Sequence, residues 1–272
     1  MTCHSSLSPA HLDADLLTEG EAIERLALRS LHEAATPDQR RDLRLDWHET
    51  AGSVASVAGA LPASAIVVNR AFLCEGAEVS AAAEPYRRAS VARFFLHVPK
   101  DGGTAVPTDF TEARPWQKFL RMRGAPLPDA PAIDIARVAP GPTAEAVARI
   151  VCAAFDLGPV AEGWIARLCL DARWQIFVAR IDGVVAGTGA LFVSGGIGWC
   201  DWGATAPAFR GRGIQRALLR HRLATADALG IPRVHTCTGA PAPGDPQHSY
   251  RNILRCGFTE TVLRRNLKPD CQ

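Results

Sequence analysis

Between residues 174 and 228 the hydrophobic pattern changes once, from strand-like runs separated by turns to a helical repeat. Asp182-Gly183 and Ser194-Gly195-Gly196 are typical hairpin turns, and they divide the first part of this stretch into three short strands. The strands are expected at 174–180, 184–193 and 197–205. After Gly213, apolar residues recur on one helix face until Gly230. A meander followed by a long helix predicts an α+β fold with a mostly antiparallel sheet.

The other elements are expected from local period, capping and turn signals. In the C-terminal half they are a strand at 133–138, a helix capped by Thr143 and running to about Phe155, a helix at 160–170, a strand at 233–238, a helix at 249–256 and a strand at 260–268. In the N-terminal half they are helices at 22–34 and 38–48, a helix followed by a strand within 51–68, strands at 66–70 and 93–97, and a helix that includes 85–90.

The segment from Gly124 to Pro131 is the clearest linker, because it contains three prolines, which cannot donate ladder hydrogen bonds and keep the backbone extended. A length of 272 residues also exceeds the commonest size of a single domain. We therefore expect an α/β domain at 1–128 and an α+β domain at 129–272.

Composition argues against several classes of function. A hydrophobic fraction of 47% and a charged fraction of 21% are typical of globular proteins. A net charge of +2 gives no electrostatic reason to expect nucleic acid or a membrane as a partner. Met1 to Leu17 lacks the order of a secretory signal, and the eight cysteines occur singly. We expect reduced, buried thiols in a cytoplasmic protein, with no metal site.

The sequence Arg210-Gly211-Arg212-Gly213-Ile214-Gln215 lies between an expected strand and the long helix. At such a junction, unpaired peptide N–H groups point toward an anion and the helix dipole favours negative charge. The glycines allow close backbone approach, and Arg210, Arg212 and Arg216 add positive charge. A pyrophosphate site is one interpretation, and a loop that only starts a helix is the other. The spacing fits neither a dinucleotide fingerprint nor a P-loop.

These residues resemble motif A of the GNAT superfamily of acyl-CoA N-acyltransferases, which reads Arg/Gln-x-x-Gly-x-Gly/Ala. Arg210 and Gly213 match the motif, whereas Gln215 replaces its final small residue. The segment from Ser249 to Phe258 resembles the family's motif B, which ends in Gly-Phe, and its distance from motif A is also similar. The resemblance covers about residues 130 to 268. It implies a GNAT fold, with a mixed, mostly antiparallel sheet flanked by helices.

The resemblance also implies which residues bind acetyl-CoA, the co-substrate of the family. Gly203, Ala204 and Thr205 would pair through their backbone with the pantetheine arm, and one of their N–H groups would polarise the thioester carbonyl. Residues 211–216 would hold the pyrophosphate. Asn252 would contact the pantetheine or help to fix the last helix.

Transfer to an amine needs a group that accepts a proton. Asp201 is the candidate, because it precedes Thr205 by four residues and would lie on the same side of the strand. An ordinary aspartate paired with an arginine is an equally good interpretation. Ile253 stands where the family often has a tyrosine that protonates the leaving thiolate. Tyr250 substitutes for it only if its ring turns inward, and a packing role is the better interpretation.

The resemblance implies an N-acetyltransferase that transfers an acetyl group directly to a primary amine of a small molecule or a protein. The alternative is a non-catalytic acyl-CoA-binding regulatory module, since the tyrosine is missing and Gln215 departs from the motif. Residues 67–70 and 93–96 resemble strands of two-part GNAT proteins with a degenerate first copy. Such a copy would lack a cofactor site and would wall the acceptor pocket or complete a shared sheet. The alternative for the N-terminal half is an unrelated helical cap. Neither the acceptor nor the oligomeric state follows from the sequence.

Overall fold

A computed structural model of the chain describes residues 14–99 and 103–270, so the expectation for Met1 to Leu17 falls largely outside the described residues. The helices are α1 (Ala14–Ala34), α2 (Pro37–Asp42), α3 (Val79–Arg88), α4 (Pro142–Ala154), α5 (Glu162–Ala166), α6 (Ile214–Ala228) and α7 (His248–Arg255). The strands are β1 (Leu45–Glu49), β2 (Ser53–Ala58), β3 (Arg70–Leu73), β4 (Phe95–Val98), β5 (Phe110–Met122), β6 (Asp134–Arg137), β7 (Trp174–Ile181), β8 (Val184–Ser194), β9 (Ile197–Thr205), β10 (Arg233–Gly239) and β11 (Thr259–Pro269).

All of these strands join one mixed sheet, in the order β1-β2-β3-β4-β11-β5-β10-β9-β8-β7-β6. The pairs β3/β4 and β9/β10 are parallel, and the other neighbours are antiparallel. Strand β5 of the N-terminal half pairs with β10, and β11 of the C-terminal half pairs with β4. Each half therefore gives its last strand to the sheet of the other half, and the expected α+β class with a mostly antiparallel sheet is confirmed.

The two halves share one topology. Leaving out the edge strand β6, the series of strand pairs is the same from β1 inward and from β7 inward. Each series has two antiparallel pairs, then one parallel pair, then one antiparallel pair. The two series meet at the centre of the sheet, where β11 pairs with β5. Helix α3 connects the parallel strands of the first half, and α6 connects those of the second. A continuous sheet thus crosses the proposed boundary between 128 and 129.

Helices cover both faces of the sheet. Neighbouring residues of β8 show the division, because Phe192 belongs to the core beneath α1, α4 and α5, whereas Leu191 belongs to the core beneath α6 and α7. On β3, Phe72 and Ala71 divide the core in the same way, so α3 lies on the face of α6. None of the helices in the described ranges has the length and hydrophobicity needed to cross a membrane.

Two predictions for the N-terminal half are wrong. The segment 38–48 is not one helix, because the capping box of Thr36 and Gln39 starts a helix of only six residues and Arg44 then takes a left-handed conformation with φ of 50°. Within 51–68, the expected helix is strand β2, and nearly all of its residues are buried. A short strand that is buried on both faces lacks alternation, so its period cannot distinguish it from a helix.

The remaining predictions differ from the structure mainly at element boundaries. The strand expected at 66–70 begins only at Arg70. Helix α4 begins at Pro142 with Gly141 as N-cap and no side-chain cap, so Thr143 does not cap it. The segment 160–170 divides into α5 and two flanking 3-10 turns. The hairpin turns at 182–183 and 195–196 are confirmed, and all four of their residues have positive φ.

Candidate active site

The glycine-rich loop lies at the start of α6, as expected. Gly211 and Gly213 have φ angles of 78° and 76°, a conformation that favours glycine. The first hydrogen bond of the helix joins the Ala217 amide to the Gly213 carbonyl at 3.0 Å, so the preceding amides have no acceptor within the helix. These residues border an open cleft of about 1110 Å³.

Positive charge surrounds this cleft. Its border includes Arg210, Arg212, Arg216 and Arg255. A helix N-terminus with free amides and guanidinium groups around it is suited to an anion with several charged oxygens. The donor set of this loop therefore fits a diphosphate.

The side chain of Gln215, at the position where motif A has a small residue, is turned toward α7. Its Nε2 donates to Ser249 Oγ at 2.8 Å, and its Oε1 accepts from Asn252 Nδ2 at 2.7 Å. The larger residue thus links the start of α6 to α7. Asn252 borders the cleft and, through Gln215, connects the last helix to the glycine-rich loop.

The parallel strands β9 and β10 separate next to this cleft. They pair only where 197–199 of β9 faces 233–235 of β10. Immediately beyond, the Thr236 hydroxyl donates to the Cys200 carbonyl at 2.8 Å. The gap between the diverging strands contains a cavity of about 130 Å³, bordered by Gly203, Asn252 and Ser249 among others.

A β-bulge occurs in β9 at this gap. Opposite β8, Ala204 pairs with Thr188 but Asp201 pairs with Ala190, so β9 has one extra residue between them. Trp202 within the bulge has φ of 50°. Asp201 consequently shares a face with Ala204, while Thr205 points to the other face. The expectation that Asp201 and Thr205 lie on the same side is wrong, because the bulge breaks the alternation.

Arg222 of α6 lies buried behind the bulge. Its Nη1 donates to the carbonyl of Ala190 at 3.2 Å and to the carbonyl of Asp201 at 3.1 Å. A Cβ at Gly189 would lie 2.9 Å from this guanidinium, so glycine makes room for it. The sequence pattern indicates that Arg222 is buried, because it follows Leu218 by four positions and so lies on the buried face of α6.

The carboxylate of Asp201 is held by two N–H donors. Oδ2 accepts from Trp199 Nε1 at 2.9 Å, and Oδ1 accepts from the Trp202 amide at 2.8 Å. Burial raises the pKa of this carboxyl above its ordinary value of 3.8. Asp201 borders both the strand gap and a second cavity of about 340 Å³ beneath α1.

Residues from both halves of the chain form the walls of this second cavity, which we call the α1 cavity. Leu28, Arg70 and Phe95 come from the first half, and Phe155 and Trp199 from the second. Sequence reasoning did not identify it, since its walls come from segments that are distant in the chain.

A buried ion cluster lies beside the α1 cavity. Glu24 of α1 accepts from Arg70 Nη1 at 2.7 Å and from the Lys118 ammonium group. Burial raises the pKa of Glu24, but the charges of Lys118 and Arg70 outweigh this effect and hold the pKa below its usual value. These contacts join two strands and one helix of the first half, namely β3, β5 and α1.

Tyr250 does not join this site. Its hydroxyl donates to the Glu260 carboxylate on β11, and its ring packs edge-on against Phe119 with 5.2 Å between centroids. Burial and the neighbouring Glu260 raise the pKa of the Tyr250 hydroxyl. Ser249, which sequence reasoning missed, instead borders both the cleft and the gap.

Solved structures with this fold include two GCN5-related N-acetyltransferases. The one from Kribbella flavida is 18% identical, with a TM-score of 0.56 over 89% of this chain and 96% of that chain. The one from Sphaerobacter thermophilus is 18% identical, with a TM-score of 0.58 over 80% of each chain. The expected GNAT fold is therefore confirmed. No curated protein has a significantly similar sequence.

The sequence places the second half in the same class. Residues 147–258 match the model of the acetyltransferase (GNAT) family. The chain therefore carries a GNAT acetyltransferase domain, of a class that transfers acyl groups from acyl-CoA.

Proposed function

We propose that the protein is an N-acetyltransferase that transfers the acetyl group of acetyl-CoA to a primary amine by direct attack. The observation that carries the proposal is that the cleft at the start of α6, the strand gap and the α1 cavity adjoin one another through shared wall residues. Gly203 borders both the cleft and the gap, and Asp201 borders both the gap and the α1 cavity. An amine in the cavity would meet a thioester in the gap.

The fit of the cleft and gap supports acetyl-CoA as the co-substrate. The amides of Gly211 to Arg216, with Arg210, would hold the diphosphate. The backbone of Gly203, Ala204 and Thr205, which does not pair with β10, would take the pantetheine arm as an added strand. The thioester supplies an activated acyl carbon, and an N–H of the bulged strand would polarise its carbonyl.

Asp201 is the proposed general base. In the reaction one C–N bond forms, the C–S bond breaks, and the nitrogen loses a proton, which Asp201 accepts. The donors Trp199 and Trp202 fix the direction of the carboxylate, and its raised pKa makes it a better proton acceptor. Ser249 is proposed to donate a hydrogen bond to the leaving thiolate, which then takes its proton from water, since Ser249 borders the gap.

Direct attack is favoured over a covalent relay through Cys237. This thiol borders the gap and the α1 cavity, where an acyl carrier would have to lie. Burial raises its pKa to about 12, so the nucleophilic thiolate is scarce at neutral pH.

The six cysteines in the described ranges are free, which supports a cytoplasmic location.

The first half is proposed to wall the acceptor cavity without binding a cofactor of its own. Its loop between β3 and α3 corresponds to the phosphate loop but contains Glu75 and Glu78, and Glu78 is the N-cap of α3. Carboxylates at this helix start would repel a diphosphate. Arg70 and Phe95 of the same half border the α1 cavity.

The test is the release of free CoA thiol from acetyl-CoA across a panel of primary amines, with mass spectrometry of the product. Direct attack predicts acetylated amine and initial-rate lines that intersect when both substrates are varied. Parallel lines, or an acetylated protein in the absence of amine, would contradict direct attack.

A regulatory acyl-CoA-binding module is the second candidate. It is favoured by one observation, that the hydroxyl of Tyr250 is bonded to Glu260 rather than turned toward the gap. Saturable binding of acetyl-CoA, with no thiol release for any amine, would support this module and contradict an enzyme.

A further inference from the structure

The α1 cavity has an unusually aromatic wall. Phe95, Trp116, Phe155, Trp199 and Trp202 all border its volume of about 340 Å³. Aliphatic side chains of α1 complete the wall, and those of Ala27, Leu28 and Leu31 are buried. Such a cavity is at the small end of the range for small-molecule sites, and its body contacts are mainly apolar.

The carboxylate in the wall of the cavity is that of Asp201. It lies where the α1 cavity meets the strand gap, and Trp199 orients it.

The charges beside the cavity are already balanced. Arg70 and Lys118 carry two positive charges, and Glu24 with ionised Asp201 carries two negative charges. Arg114, which also borders the cavity, pairs with Asp245. A molecule whose body carried a further charge would bury it without a partner, which is unfavourable. The body that fits is therefore uncharged.

An ammonium group is accommodated differently, because it would arrive next to Asp201 and among the electron-rich faces of the rings. Aromatic faces attract organic cations, and a carboxylate pairs with them. Phe155 packs edge-on against Trp202, with 5.1 Å between ring centroids. This contact holds the two rings of the wall against each other.

We propose that the acceptor is a small primary amine on an uncharged aromatic body, bound in the α1 cavity with its nitrogen toward Asp201. This inference rests on the proposed acetyltransfer and specifies its substrate class. The flexible stem of a lysine covers less of the aromatic wall, a polyamine brings further charges into the cavity, and an amino sugar brings hydroxyl groups that the wall does not match.

The experiment compares initial rates of thiol release with acetyl-CoA for 2-phenylethylamine, hexylamine, glucosamine, spermidine and Nα-acetyl-lysine amide. We expect kcat/KM for 2-phenylethylamine to exceed the values for the three polar amines at least tenfold. Equal or higher values for any polar amine would overturn the inference while leaving acetyltransfer intact. If no amine reacts, calorimetric binding of 2-phenylethylamine to the CoA-loaded protein supports the cavity assignment, and no binding overturns it.

Two variants locate the binding. Ala27→Phe fills the α1 cavity from α1, and we expect a KM for 2-phenylethylamine at least tenfold higher with an unchanged KM for acetyl-CoA. Leu26→Phe is the matched control, since Leu26 is the exposed neighbour on the same helix. Phe155→Leu removes one ring from the cavity wall. We expect this substitution to raise the KM for 2-phenylethylamine by a larger factor than the KM for hexylamine. Unchanged amine KM values in both cavity variants would overturn the inference.

Discussion

Nη1 of Arg222 lies 3.1 Å from the carbonyl oxygen of Asp201, the residue that we propose as general base. The same nitrogen bonds the carbonyl of Ala190 across the strand pair. A buried guanidinium on α6 thus holds the bulge of β9 from behind, on the face opposite to the Asp201 side chain. Arg222 is a positioning residue, because it acts on the backbone that directs Asp201 and the Gly203 amide.

For Arg222→Met we expect a lower kcat and a free energy of unfolding reduced by about 2–4 kcal/mol, because two buried carbonyls lose their donor. Arg222→Lys keeps the charge and is expected to recover part of kcat. Arg220→Met, at an exposed position of the same helix, is the control. A kcat of Arg222→Met equal to that of the control, measured below its melting temperature, would show that the bulge needs no such support.

For Asp201→Asn we expect kcat/KM to fall by about 10²-fold or more, because the amide cannot accept a proton. In the native protein this base works only when deprotonated, so the rate should rise with pH through its raised pKa. The variant should lose that acidic limb. Asp182→Asn, in the exposed hairpin turn, should retain it. A pH–rate profile of Asp201→Asn that superimposes on the native profile would exclude Asp201 as base.

The two loop glycines should respond differently to alanine. Both have positive φ, so each substitution costs about 1 kcal/mol of backbone strain. Only at Gly213 would the new Cβ meet another segment, at 2.8 Å from Cγ of Pro131 in the linker. We therefore expect Gly213→Ala to weaken CoA binding about tenfold in calorimetry, and Gly211→Ala to weaken it less. Equal affinities for the two variants would argue against amides at the helix start as the diphosphate site.

Acid should destabilise the fold through His32, whose Nε2 lies 2.8 Å from Ser56 Oγ in the core. Burial lowers its pKa to about 4, below the ordinary value of 6.5. The folded state therefore binds fewer protons than the unfolded state between these values, and stability is lost as the pH falls. We expect a loss of about 2 kcal/mol from His32 between pH 7 and pH 4.5. His32→Gln should remove this part of the pH dependence in urea unfolding, whereas His48→Gln should not.

The local parts of the fold and the site were predictable because their signals are contiguous. Asp182-Gly183 forms a two-residue turn with both residues at positive φ, which local chemistry dictates. The loop from Gly211 to Gly213 likewise starts α6 by its own conformation. Asp201 was identified as a candidate from the sequence, but the face of β9 on which its side chain lies was not. A bulge leaves no mark in a pattern of alternating residues.

The sequence by itself determined the hairpins, the glycine-rich loop and the amphipathic helix that follows it, since each depends on residues within a few positions of one another. Only the tertiary structure decided the exchange of β5 and β11, the bulge behind Asp201 and the α1 cavity. Glu24 and Lys118 show why, because 94 positions separate two side chains that share one buried ion pair. Pairings of this kind gain their energy from burial and long-range contact, which no local window of sequence contains.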